Sequence, residues 1–212
     1  MFELAPIKAV LFDFDGPICD VFAGYSAPSV ARELERVAGR DSGIDDPHEV
    51  LRNAAGSPVL DAVEDALVAA ELTAVESAVA AAGGLESVRV ALDAGLRVGV
   101  VSNNVGAAVE RFLFRVGMAG PVWPVVGRPY RAPERMKPDM WPLETALDAI
   151  KVERAEVVFV GDSRTDVEAA KKSHLRCVAL ANKAGKRAMF EAAGADAIVD
   201  DMDELRESLE AL

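Results

Sequence analysis

The chain has few of the residues that would let it be stapled, cross a membrane or wrap a nucleic acid. Only two cysteines, Cys19 and Cys177, occur in 212 residues. So far apart, they suit a reducing compartment as small core residues better than a disulfide scaffold. No apolar run approaches the roughly 20 residues of a membrane-crossing helix. The opening MFELAPIKAVLFDFDG has too short an apolar part, broken by charge, for a signal peptide. Basic charge is also scarce: 23 Lys and Arg against 35 Asp and Glu leave a formal net charge of −12. That argues against a binder of phosphate backbones, which needs a basic surface to release counterions. The expectation is a soluble cytoplasmic protein with no nucleic-acid or membrane partner, in which any anionic ligand is held by local positive charge. The rest of the composition, 51% hydrophobic and 27% charged, is ordinary for one large domain or a core carrying an insertion.

Four short, continuously apolar runs have the character of strands buried on both faces: AVLF at 9–12, LRVGVV at 96–101, VVFV at 157–160 and LRCVAL at 175–180. VWPVV at 122–126 and AIV at 197–199 are weaker candidates. Helical spacing lies between them at about 86–94, 105–116, 139–150, 164–173, 184–193 and 202–211. This alternation predicts an α/β fold with a Rossmann-like, doubly wound parallel sheet. One interval breaks the rhythm. From Gly16 to about Gly84 no strand is evident, whereas a crossover needs only about a dozen residues. Segments 26–39, 47–55 and 58–82 there show helical spacing. The prediction is an all-helical cap domain over 17–84, inserted into a core of 1–16 and 85–212. It starts at the strand end where open α/β sheets bind ligands.

Chemistry gathers at the same strand ends. Asp13 and Asp15 close the first run, where two carboxylates repel unless a cation sits between them. Ser102, Asn103 and Asn104 follow the second run just before a helix, where free N–H groups favour an anion. GDSRTD at 161–166 follows the third, and Lys137-Pro138 precedes the helix at 139–150. Each alone is an ordinary cap or surface lysine. Together, on one edge of a parallel sheet, Asp13, Asp15, Ser102, Asp162 and Asp166 can converge, with Lys137 joining from its loop. Several carboxylates with no histidine nearby in sequence suit a hard cation, and Mg²⁺ is the usual one for phosphate chemistry. A hydroxyl, backbone amides and a lysine can then hold a phosphoryl group.

DFDG at 13–16, VVSN at 100–103, KPD at 137–139 and GDSRTD at 161–166 resemble, in order, the four motifs of the haloacid dehalogenase superfamily. The subgroup resembled is the phosphoglycolate phosphatase-like one, with a helical cap after the first motif. ALDAGLRVGVVSN at 91–103 and AAGADAIVDDMDEL at 192–205 add to the likeness. The resemblance implies a Mg²⁺-dependent phosphatase of a small phosphorylated metabolite. Asp13 would be the nucleophile that forms an aspartyl-phosphate, and Asp15 would be the acid and then the base. Mg²⁺ would be bound by Asp13, the Asp15 carbonyl and Asp162, with Asp166 orienting metal-bound water or bonding directly. Ser102, the Asn103 backbone and the amides of Phe14 and Asp15 would contact phosphoryl oxygens, and Lys137 would neutralise Asp13 and phosphate. The family's dehalogenases lack an acid at the position of Asp15, which favours phosphoryl transfer. Members that cleave carbon–phosphorus bonds use a cap lysine, and no lysine lies between Lys8 and Lys137. Pro17 replaces the usual Thr or Val and bears on the shape of the flap leading to the cap. A mutase or phosphotransferase, a phospho-acceptor signalling module and a degenerate binding protein remain alternatives, as do monomer and homodimer.

Other residues carry two readings. Arg128, Arg131, Arg135 and Lys137 make a basic island in GRPYRAPERMKPD, either a steering field or a solvated loop. Arg32, Arg36, Arg40 and Arg52 read as solvated helix faces rather than substrate contacts, His48 and His174 as surface or capping residues, and Trp123 and Trp141 as packing residues rather than a border of the cleft.

Overall fold

The computed structural model describes residues 6–212; residues 1–5, which begin both the expected core and the stretch weighed as a signal peptide, lie outside the described residues. The strands are β1 (Ala9–Phe12), β2 (Cys19–Asp20), β3 (Val79–Ala80), β4 (Arg97–Val101), β5 (Val122–Val126), β6 (Val157–Gly161), β7 (Arg176–Leu180) and β8 (Ala197–Val199). The helices are α1 (Ala27–Val37), α2 (Pro47–Asn53), α3 (Leu60–Ala74), α4 (Gly84–Asp93), α5 (Gly106–Arg115), α6 (Trp141–Ile150), α7 (Arg164–Lys172), α8 (Lys186–Ala193) and α9 (Met202–Glu210). Six strands form one sheet in the order β5-β4-β1-β6-β7-β8, every neighbouring pair parallel. Both weaker strand candidates therefore belong to it, as its two edge strands.

The continuous apolar runs follow from burial on both faces. Val10, Phe12, Val98, Val100, Val158 and Val160 pack on one face with α4, α5 and α9. Ala9, Leu11, Val157, Phe159, Cys177 and Ala179 pack on the other with α6, α7 and α8. Both cysteines are free and buried. No helix among the described residues is long and apolar enough to cross a membrane.

Helices α1, α2 and α3 build a separate cluster around Val30, Leu34, Leu51, Val63 and Leu67, into which Met136 inserts from the loop after β5. The chain leaves the sheet for this unit along β2 and returns along β3, an antiparallel pair matching Cys19 with Ala80 and Asp20 with Val79. That pairing was not read from the sequence, because two residues leave no alternating pattern. For the same reason the third helical segment, expected to reach 82, ends at Ala74.

Before the neck, Gly16 has φ +107°, and a Cβ there would collide with the Asp162 carboxylate. Pro17 costs this turn no hydrogen bond, since Gly16 donates to the Cys19 carbonyl and Ile18 and Cys19 donate to that of Phe14.

Phe190 of α8 is fully buried and Phe114 of α5 is 78% exposed. Phe190→Ala is expected to lower the unfolding free energy by about 3–5 kcal/mol through the cavity it leaves. Phe114→Ala should stay within about 0.5 kcal/mol. Urea denaturation of both variants checks the pair, and similar losses would contradict this core assignment.

Candidate active site

Asp13 lies one residue beyond β1, its amide bonded to the Val160 carbonyl of β6 at 2.7 Å. Its Oδ1 accepts from the Phe14 amide at 2.7 Å and pairs with Lys137 Nζ at 2.8 Å. The buried Lys137 ammonium also lies 2.7 Å from Asp166 Oδ1 and donates to the Val101 carbonyl at 3.1 Å. It therefore ties the ends of β1 and β4 to α7, the helix that follows β6. Burial alone would favour the neutral amine, but Asp13 and Asp166 outweigh it and raise the lysine pKa.

Asp162 and Asp166 come from the turn between β6 and α7. Ser163 caps α7 by accepting from the Asp166 amide, while Asp166 Oδ2 accepts from the amides of Asp162 (3.1 Å) and Ser163 (2.9 Å) and the Ser163 hydroxyl (2.6 Å). Gly161 is required here because a Cβ would strike the Asp166 side chain. Burial pushes the Asp166 carboxyl up, but Lys137 and Ser163 outweigh it and hold it below the usual range.

Asp13, Asp162 and Asp166 each offer a carboxylate oxygen, all within 4.8 Å of one another. Burial raises the Asp13 pKa well above normal, the charge of Asp166 adds to this, and Lys137 does not offset it. Asp162 is also raised by burial, partly countered by Lys186. A largely buried, all-oxygen set of three carboxylates facing two lysines fits a hard divalent cation. Asp15 is raised to about 6 by burial, against the lowering effect of the Val21 amide on its Oδ1 at 2.9 Å.

At the end of β4, the buried Ser102 Oγ donates to Asn104 Oδ1 at 3.1 Å and accepts from the Asn104 amide at 3.0 Å. Asn103 clamps the backbone of Lys137, its Oδ1 accepting from the Lys137 amide at 2.9 Å and its Nδ2 donating to the Lys137 carbonyl at 3.3 Å.

These strand ends open on a cavity of about 260 Å³. Asp13, Asp15, Ser102, Asn103, Lys137 and Asp162 line it from the sheet, and Asp46, His48 and Arg52 line it from α2 and its cap. Two of the expected site residues stand behind this wall. Phe14 is buried, with its amide engaged by Asp13, and Asp166 faces Lys137 and its own helix cap.

Several sequence readings are corrected. Arg52 is no solvated face: it lines the cavity, and its Nη2 donates to the Lys137 carbonyl at 2.9 Å. His48 lines the cavity too and places Nε2 3.1 Å from Glu71 Oε1. The basic island is no open field. Arg128 is buried against Glu64 and Glu71, Lys137 against Asp13 and Asp166, and Arg131 pairs with Asp61 at 2.8 Å. Trp123 does not pack but is 58% exposed. Lys186, at the start of α8, was missed: its Nζ donates to the Asp162 carbonyl and Oδ2, both at 2.6 Å. Its place just after another strand of the same sheet was the available signal.

The family model of the haloacid dehalogenase-like hydrolases matches residues 48–180. Phosphoglycolate phosphatase of Rhodospirillum rubrum is 28% identical over 221 residues, which cover 93% of this chain and 89% of the relative. A plasmid phosphoglycolate phosphatase of Cupriavidus necator is 30% identical, covering 94% and 92%. Among solved structures, CbbY from Rhodobacter sphaeroides in complex with phosphate has the same fold, with a TM-score of 0.72 at 21% identity over 94% of this chain and 96% of that one.

Asp15 titrates near 6 in the folded protein, against about 3.9 unfolded. In between, the folded chain binds the proton more tightly, so stability falls as pH rises through this window. Urea denaturation of the metal-free protein should show Asp15→Asn gaining on the parent between pH 4 and pH 7. A difference that does not change with pH contradicts the assignment.

Proposed function

Because this phosphoric monoester hydrolase belongs to the haloacid dehalogenase-like hydrolase family, we propose that it hydrolyses a small phosphomonoester through an aspartyl-phosphate on Asp13, with Mg²⁺ as cofactor. The observation that carries this reading is the Lys137 ammonium, 2.8 Å from Asp13 and 2.7 Å from Asp166, beside a cavity that also receives Ser102, Asp15 and Asp162.

Both donors to the Asp13 side chain fall on Oδ1, which leaves Oδ2 to attack. As the Oδ2–phosphorus bond forms, the ester bond breaks, and Asp15 protonates the departing oxygen. Asp15, then ionised, takes a proton from water that attacks the same phosphorus, which releases inorganic phosphate and restores the Asp13 carboxylate. A side chain with a pKa near 6 suits both proton transfers. A covalent carboxylate nucleophile divides one difficult displacement into two. Ser102 and Lys137 hold the phosphoryl oxygens, where positioning and charge stabilisation do most of the work. Asp13, the Asp15 carbonyl and Asp162 would hold Mg²⁺, which supplies positive charge that keeps Asp13 ionised and offsets the phosphoryl charge. Asp166 orients Lys137.

Residues 17–84 act as a cap over this site, since α2 contributes Arg52 and His48 to the cavity wall. The Arg52 guanidinium gives one N–H to the Lys137 carbonyl and lines the cavity, which suits a second anionic group on the substrate. A phosphoglycolate-type ester, with its carboxylate, is the substrate class this wall favours. The names of the two relatives agree with it.

Phosphate release from a panel of phosphomonoesters in Mg²⁺ tests the mechanism. Turnover should vanish with EDTA and in Asp13→Asn, and Asp15→Asn should lower kcat by about 10²–10⁴-fold. Metal-independent turnover or an active Asp13→Asn protein would refute it. Arg52→Ala should raise KM for 2-phosphoglycolate by roughly tenfold or more, as expected for a lost charge-assisted hydrogen bond. KM for ethyl phosphate should stay nearly unchanged, and equal losses on both esters would remove the assigned role of Arg52.

A further inference from the structure

Glu71 on α3 is fully buried and does not line the cavity, yet it gathers donors from both units of the protein. Arg128 Nη1 lies 2.7 and 2.6 Å from its two oxygens. Asn104 Nδ2 donates to Oε1 at 3.1 Å and the Val105 amide to Oε2 at 2.9 Å. His48 Nε2 lies 3.1 Å from Oε1. Arg128 also donates to the Asn103 carbonyl at 3.1 Å. Asn103, Asn104 and Val105, three consecutive residues after Ser102, are thus held by this carboxylate directly or through Arg128.

Burying a carboxylate and a guanidinium is costly, and apolar contacts would fasten a helix at least as well. What the carboxylate adds is direction. An ionised carboxylate only accepts hydrogen bonds, so Asn104 must turn its NH₂ toward Glu71 and its Oδ1 toward Ser102. The Asn104 amide, donating to Ser102 Oγ, holds that oxygen in one place at the cavity wall, and Asn104 Oδ1 takes its single proton, which must turn to a phosphoryl oxygen when one arrives. Burial pushes the Glu71 carboxyl up, but Arg128 and His48 outweigh it and hold it below the usual range and therefore ionised.

We infer that Glu71 is a positioning residue for the reaction. From the helical unit it fixes the Ser102–Val105 loop through Asn104, so that the Ser102 hydroxyl meets the phosphoryl group. This rests on the reading of Ser102 as a phosphoryl contact. Coupling of this kind is reciprocal, so a phosphoryl group bound against Ser102 also favours the contact of Glu71 with Asn104.

A double-mutant cycle with Glu71→Gln and Ser102→Ala tests it. The measurements are the dissociation constant of inorganic phosphate in saturating Mg²⁺, followed by ³¹P NMR, and the melting temperature. Each single variant should weaken phosphate binding on the order of tenfold, and the double variant should be no weaker than Ser102→Ala within about twofold. The drop in melting temperature caused by Glu71→Gln should be the same in both backgrounds, so a purely structural role would leave the two phosphate losses multiplicative. Multiplicative losses overturn the inference while leaving the phosphate site intact. Unweakened binding by Ser102→Ala overturns the phosphate-site reading, and the inference with it. Should Glu71→Gln fail to fold, Asn104→Ala breaks the same link while keeping the Glu71–Arg128 pair, and the same non-additivity with Ser102→Ala is expected.

Discussion

A buried ammonium is tolerable only when its N–H groups and its charge are matched, and Lys137 meets that condition with partners from three places in the sheet. Asp13 follows β1, Val101 ends β4 and Asp166 belongs to the helix after β6. Those strands are adjacent in the order β4-β1-β6, so one cation ties the sheet's centre together at the edge where the cavity opens. Neighbouring details serve the same contact. Gly161 leaves room for the Asp166 side chain, Asn103 grips the backbone of Lys137 through both ends of its amide, and the Phe159 ring lies 5.4 Å from the ammonium.

Lys137 does not offset all the negative charge around it. Burial and the charge of Asp166 push both Asp13 and Asp162 toward protonation, whereas in Asp166 the effect of burial is outweighed by Lys137 and the α7 cap.

Charge also joins the helical unit to the core. Asp61, Glu64 and Glu71 of α3 face Arg131 and Arg128 of the loop after β5, and the latter pairs are buried. Met136 of the same loop enters the apolar cluster of the helical unit, and Arg52 returns a hydrogen bond to Lys137 next to it. The segment from Arg128 to Lys137 is therefore where the helical unit meets the strand ends that line the cavity. Both of the readings open to it in the sequence, a steering field or a solvated loop, missed that role. An arginine's partners 57 and 64 residues away leave no local trace.

The sequence by itself determined the sheet, the insertion and the gathering of Asp13, Asp15, Ser102, Lys137 and Asp162. These are local facts: an apolar run long enough for a strand buried on both faces, a polar residue just past its end, and a parallel topology that puts all such ends on one edge. Only the tertiary structure decided what those residues lean on. Helical spacing shows that α2 and α3 have a buried face, but not which unit covers it, so Arg52, His48 and Glu71 read as surface or went unremarked until packing turned them inward. The two-residue pairing of β2 with β3 escaped likewise, because a contact made across the fold has no period in the chain. Residues that line the cavity from the sheet can be read from where strands stop, and residues that hold them in place only from what the fold brings against them.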